Sequence, residues 1–129
     1  MSVLIDSSAW IESFRRDGDP ALTELVAGLV ERGEAATAGI IKLELLRGAW
    51  EREFDSLRKN LALLPLLETR EAHYEEAGWL GSMLRKNGAV IPTADLLIAT
   101  LAMAHGVPLL HRDRHFDLVA RKRKLQIYS

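Results

Sequence analysis

The sequence predicts a three-layer α/β/α sandwich built on a short, mostly parallel sheet, folded as one domain over residues 1–129. Short runs that are apolar on both faces, clearest at Val3–Ile5 and Val107–Leu110, read as buried parallel strands. Between them lie segments whose apolar residues recur every three or four positions, the spacing of helices that bury one stripe. Strands alternating with helices are joined by right-handed crossovers, which place helices on both faces of the sheet.

Val3-Leu4-Ile5 ends on Asp6, and Ser7 or Ser8 is expected to cap a helix that turns Trp10, Ile11 and Phe14 inward and Glu12, Arg15 and Arg16 outward. Asp19-Pro20 starts a second helix, with Asp as N-cap and Pro first inside, which runs to Gly33 behind Leu22, Leu25, Val26, Leu29 and Val30. Ala35–Ala38 lies between that stop and the next helical run, Ile40–Trp50, and is expected as a second buried strand. Phe54, Leu57, Leu61 and Leu64 predict a helix over 51–64, and Ala77, Leu80, Met83 and Leu84 one over 70–86, with Pro65-Leu66-Leu67 between them as a brief strand. After Asn87-Gly88 and Pro92, Thr93 is expected to cap a helix over 94–105 that Gly106 stops. Val107–Leu110 supplies the next strand and Lys124–Tyr128 the last.

At 48% hydrophobic and 27% charged residues, with nine Gly and four Pro, the composition excludes disordered, collagen-like and low-complexity chains. The lack of cysteine removes disulfides, a thiolate nucleophile and Cys-based zinc or iron–sulfur sites, so a metal would have to sit on oxygen or imidazole. Met1–Ile5 has no basic n-region, and no apolar run approaches the roughly 20 residues of a membrane span, so a cytoplasmic protein without a membrane partner is expected. Seventeen Lys and Arg against eighteen Asp and Glu leave a formal charge of −1. That balance hides an asymmetry, because His111–Lys124 holds six basic and two acidic residues while the rest of the chain holds eleven and sixteen.

Open parallel sheets bind ligands at the carboxyl ends of their strands, where Asp6 and Asp113 fall. Glu44 and Asp95 lie one to two turns into helices in otherwise apolar surroundings. Each acid taken singly also reads as a surface carboxylate or a helix-terminal charge, and Asp113 as the cap of a short turn Arg114-His115-Phe116. Gathered together they repel by roughly 1 kcal/mol per pair at 4 Å in water and about 4 at an effective dielectric of 20, so the cluster needs a counter-ion. With oxygen ligands that ion is Mg²⁺ or Mn²⁺, and such a site suits hydrolysis of a phosphodiester by a metal-activated water.

Val3-Leu4-Ile5-Asp6-Ser7-Ser8-Ala9-Trp10-Ile11, Leu43-Glu44-Leu45-Leu46-Arg47-Gly48, Thr93-Ala94-Asp95-Leu96-Leu97-Ile98-Ala99 and Leu109-Leu110-His111-Arg112-Asp113-Arg114-His115-Phe116 together resemble the PIN-domain ribonucleases of the VapC toxin family, in order and over nearly the whole chain. The resemblance implies a PIN-like fold and a Mg²⁺- or Mn²⁺-dependent endoribonuclease, the toxin of a type II toxin–antitoxin pair. It implies metal ligation and catalysis by Asp6, Glu44, Asp95 and Asp113, a hydroxyl contribution from Ser7 or Ser8, and cleavage to 5′-phosphate and 3′-hydroxyl ends. The implied partners are an RNA substrate, a VapB-like antitoxin whose helix lies in a groove, and a second copy in a homodimer. His111 stands where the family often has Thr, and imidazole can still hydrogen-bond a phosphate or a carboxylate.

His111, Arg112, Arg114 and His115 read as phosphate contacts beside the metal or as a basic turn, and Asp117 as an outer ligand or a surface acid. Arg121-Lys122-Arg123-Lys124 reads equally as an RNA footing or a solvated face. Trp10 belongs with the core or an interface, whereas Trp50 and Trp79 are left over for a partner. Three competing functions are distinguishable by residue. An aspartyl-phosphate phosphatase wants a second acid at position 8, which is Ser8; a phosphoacceptor module wants adjacent early acids and a late lysine; a binding-only PIN-like module wants a broken acid set.

Overall fold

The computed structural model describes residues 1–129. The chain runs β1 (Val3–Ile5), α1 (Ser7–Phe14), α2 (Pro20–Glu31), β2 (Ala35–Ala36), α3 (Gly39–Arg47), α4 (Glu51–Leu61), α5 (Glu71–Lys86), α6 (Thr93–His105), β3 (Leu109–Leu110) and α7 (Arg114–Lys122). The sheet is parallel in the order β2-β1-β3, with Val3 opposite Ala35, and Leu4 opposite both Ala36 and Leu109. This is the expected α/β architecture, and β1 is buried along its whole length because both of its faces carry helices.

The edges are thinner than the periodicity suggests. Pro65–Leu67 and Lys124–Tyr128, expected as strands, contribute single parallel bridges, Thr37 with Leu66 and Leu109 with Ile127. Each edge makes two backbone hydrogen bonds and no more, Thr37 N–H to Pro65 and Leu67 N–H to Thr37 on one side, Leu109 N–H to Gln126 and Tyr128 N–H to Leu109 on the other. Likewise β2 ends at Ala36 rather than Ala38, since Ala38 already serves as the N-cap of α3, and β3 pairs only at Leu109–Leu110.

Helix ends also differ from expectation in instructive ways. The cap of α1 is Asp6 and not Ser7 or Ser8: Asp6 is extended, and its side chain accepts the N–H of Ser8. Asp19 caps α2 with Pro20 at the first turn, as expected. Pro92 precedes α6 and Thr93 is its first helical residue, while α3 stops at Arg47 and α4 at Leu61. Gly106 ends α6 in the left-handed region at φ 65°, where a Cβ would be strained. His73, given no role by the sequence, holds the start of α5 by accepting the Arg70 N–H on Nδ1 at 2.9 Å. The largest departure is α7: residues read as a basic turn and a charge run form a nine-residue helix, anchored in the core by Phe116 and Val119 one turn apart.

The core is continuous across the sheet and draws on every helix, with Trp10, Leu22, Leu29, Ile41, Leu84, Ile98, Leu101 and Phe116 among its buried side chains. Helices α5 and α6 pack tightly, since a Cβ on Gly81 would stand 2.6 Å from Leu96 Cδ1. No helix is long and apolar enough to cross a membrane.

Candidate active site

The connection out of β1 goes to β2 on one side of it and the chain later returns to β3 on the other, so the carboxyl ends of β1 and β3 flank a topological switch point. Asp6 closes β1 there and caps α1 at the same time. Its Oδ2 accepts the Ser8 N–H at 3.0 Å and the Ser8 hydroxyl at 2.5 Å. Its Oδ1 is buried without a hydrogen-bond partner, on a residue only 2% exposed. Burial outweighs the Ser8 donors and pushes the Asp6 carboxyl above the usual range.

Asp95 sits in the first turn of α6, 8% exposed. Burial first, and then the charges of Asp6 and Asp113, push its carboxyl up to about 6, with His115 pulling the other way. Asp113 caps α7, its Oδ1 accepting the His115 N–H at 3.0 Å. The His115 Nδ1 stands 3.1 Å from Asp95 Oδ2 and 2.9 Å from Asp113 Oδ1, which makes these three residues one cluster of potential metal donors. Three helix N-termini, those of α1, α6 and α7, therefore each carry an acid of the crevice, and their dipoles soften the mutual repulsion.

Glu44 lies at the rim on α3. Its Oε1 accepts the Ser7 hydroxyl at 3.0 Å, and burial raises its carboxyl despite that bond. Arg47, one turn on, acts on it only as a charge that lowers it slightly.

The residues expected to touch substrate divide sharply. Ser8 is occupied inside the protein, donating to Asp6 and accepting the Arg112 N–H at 2.9 Å. His111 faces inward, 8% exposed, with its ring 5.1 Å from that of Phe116 and its Nδ1 accepting the Asp113 N–H at 3.0 Å. Because Nδ1 accepts, the ring proton belongs on Nε2, which stands 3.3 Å from Asp117 Oδ1; Asp117 thus faces the back of His111. Arg112 turns away toward Asp19 at 3.4 Å. Arg114, Arg121, Lys122 and Lys124 are exposed, and Arg123 lies 4.6 Å over the ring of Trp79. The crevice thus brings donor atoms of Asp95, Asp113 and His115 within 4.8 Å of one another, sets Asp6 near enough to act on Asp95 as a charge, keeps Glu44 and Ser7 at its edge, and leaves Arg112 outside. The bracing by Ser8 and His111 carries one sequence signal, their two-residue spacing from an acid, Asp6 and Asp113 respectively.

An oxygen-rich set with one imidazole and one buried, unpartnered carboxylate oxygen fits a hard divalent cation.

The PIN domain family model matches residues 3–122. Ribonuclease VapC11 of Mycobacterium tuberculosis is 36% identical over 133 residues, covering 98% of each chain. Ribonuclease VapC51 of the same organism is 33% identical over 124 residues, covering 93% of this chain and 86% of its own. Among solved structures, VapBC2 from Rickettsia felis bound to a DNA fragment from its promoter superposes with a TM-score of 0.78 at 19% identity, covering 99% of this chain and 98% of that one. At that identity the likeness is one of fold.

Proposed function

This chain belongs to the PIN-domain family and, within it, to the VapC ribonucleases, and from that premise we propose that its strand-end crevice is a divalent-metal site that cleaves RNA endonucleolytically. The observation that carries the proposal is Asp6 Oδ1, buried and without a donor beside the carboxylates of Asp95 and Asp113. Asp6, Asp95 and Asp113 would hold the ion, Mg²⁺ or Mn²⁺, with Glu44 at the rim. A divalent ion bound there supplies a Lewis acid for the phosphate and a nucleophilic water.

The protein's own groups do the rest. Ser8 fixes Asp6 through two donors to a single oxygen, which keeps Oδ1 in one orientation. Asp95, with its carboxyl near 6, is mostly ionised at neutral pH and ready to ligate. Glu44 keeps Oε1 on Ser7 and has a raised proton affinity, which suits it to hold a proton for the leaving oxygen on Oε2. No protein nucleophile is required, and the products carry 5′-phosphate and 3′-hydroxyl ends. The exposed Arg114, Arg121, Lys122 and Lys124, on or beside the helix that Asp113 caps, give the RNA backbone a basic approach.

In the cell, which we take to mean the cytoplasm, the protein is the toxin of a type II toxin–antitoxin pair. A groove of about 610 Å³, lined by Ile11, Phe14, Leu45 and Leu57 and reaching Glu44, suits an amphipathic helix of a VapB-like antitoxin. A second copy would cover the apolar depression that runs from Ile40 and Tyr74 across Gly78 and Leu96 to Val90. The test is cleavage of RNA by the purified chain. Activity should vanish in EDTA and return with Mg²⁺ or Mn²⁺, and cleavage that continues undiminished in EDTA rejects the proposal.

A further inference from the structure

His115, read from the sequence as a phosphate contact, has its ring nitrogen between the carboxylates of Asp95 and Asp113. The ring is brought there by the backbone, since Asp113 caps α7 by binding the His115 N–H and so places the side chain between itself and Asp95. Nδ1 lies 3.1 Å from one carboxylate oxygen and 2.9 Å from the other. A single proton on Nδ1 points in one direction, and only the approach to Asp95 has hydrogen-bond geometry. Asp113 Oδ1 already accepts the backbone N–H of the same histidine. One proton serves only one of these two approaches, so the shorter one, 2.9 Å to Asp113, is not explained as a hydrogen bond. Both distances match the spacing of neighbouring ligands on one ion, because bonds of about 2.1 Å at right angles put adjacent donors about 3.0 Å apart. A separate observation points the same way: Asp6 Oδ1, on a residue 2% exposed, has no donor in the protein.

We propose that His115 Nδ1 is a nitrogen ligand of the divalent ion in this crevice, alongside Asp6, Asp95 and Asp113, and that it makes the site favour Mn²⁺ over Mg²⁺. This rests on the crevice being a metal site. The selectivity follows from ligand chemistry. Mg²⁺ is held by oxygen and keeps its waters reluctantly exchanged, whereas imidazole is a better match for a transition ion, and carboxylate-rich surroundings suit Mn²⁺ among those ions.

The experiment is electron paramagnetic resonance of the full-length protein titrated with Mn²⁺, with pulsed detection of nitrogen coupling and competition by Mg²⁺. Wild-type protein should show histidine nitrogen coupled to bound Mn²⁺, and isotopic labelling of histidine should change that coupling, a readout that needs no variant to fold. His115→Ala should lose the coupling and bind Mn²⁺ about tenfold more weakly, while its Mg²⁺ affinity changes little. Bound Mn²⁺ without nitrogen coupling overturns this inference and leaves the metal site standing. Unchanged or tighter Mn²⁺ binding by His115→Ala also overturns it, because the imidazole would then be a competing cation. No Mn²⁺ binding at all overturns both.

Discussion

Asp95→Asn should stabilise the metal-free protein. Asp95 is 8% exposed, and its carboxyl is raised from 3.8 to about 6, by burial first and by Asp6 and Asp113 next. A shift of about two units at 1.36 kcal/mol each makes the ionised side chain a burden of about 3 kcal/mol on the folded state. The sign is set by the folded chain binding this proton more tightly than the unfolded one. The burden is absent below about pH 3.8, grows as pH rises, and is complete above about pH 6. Asn keeps the shape and removes the charge, but it also gives up the attraction of His115, so a net gain of about 1–3 kcal/mol is expected at pH 8. Urea unfolding in EDTA, followed by circular dichroism, reads it directly, and the advantage over wild type should disappear near pH 4. Metal should reverse the order. At one hundred times its Kd a bound ion stabilises by about 2.7 kcal/mol, which wild type gains and Asp95→Asn largely does not. An Asn variant no more stable than wild type at pH 8 in EDTA, or equally advantaged at pH 4, refutes the reasoning.

Ser8→Ala removes the hydroxyl donor to buried Asp6, leaving Oδ2 only the residue-8 N–H, and takes away the acceptor of the exposed Arg112 N–H, so it should cost about 1–3 kcal/mol in urea unfolding and slow cleavage as well. Ser7→Ala takes away the hydroxyl that lowers the Glu44 carboxyl, and because Glu44 must hold its proton, the alkaline limb of the pH–rate profile should move to higher pH; an alkaline limb that does not move argues against Glu44 as the proton donor. Phe116→Ala empties a fully buried position that supports both α7 and His111, with an expected loss of about 3–5 kcal/mol in denaturant unfolding.

Much of the site was legible because the residues that matter stand where local chemistry is simple. An acid that ends a buried apolar run, as Asp6 does, has nowhere to project but the strand-end crevice. An acid in the first turn of an otherwise apolar helix, as Asp95 is, must find a partner. Helix α7 was not legible because only Phe116 and Val119 are fully buried among its nine residues, with Leu118 and Ala120 half-buried beside them, so its polar surface hid the period. The edge strands shrank to single bridges, and Pro65, with no N–H to give, accounts for part of that at one edge. His111 and His115 could not be told apart in sequence. One is a buried brace and the other a crevice group, and the difference is made by the tertiary placement of Phe116 and Asp95.

The claim that most needs testing is that Asp6 works through its one unpartnered oxygen. Asp6→Asn keeps the shape and retains an oxygen to accept from Ser8, but it removes the charge. RNA cleavage by this variant in Mg²⁺ or Mn²⁺, alongside wild type with a matching circular dichroism spectrum, is the direct measurement. The account predicts that cleavage falls by about a hundredfold or more while the fold is retained, and a folded Asn variant that cleaves at close to the wild-type rate contradicts it.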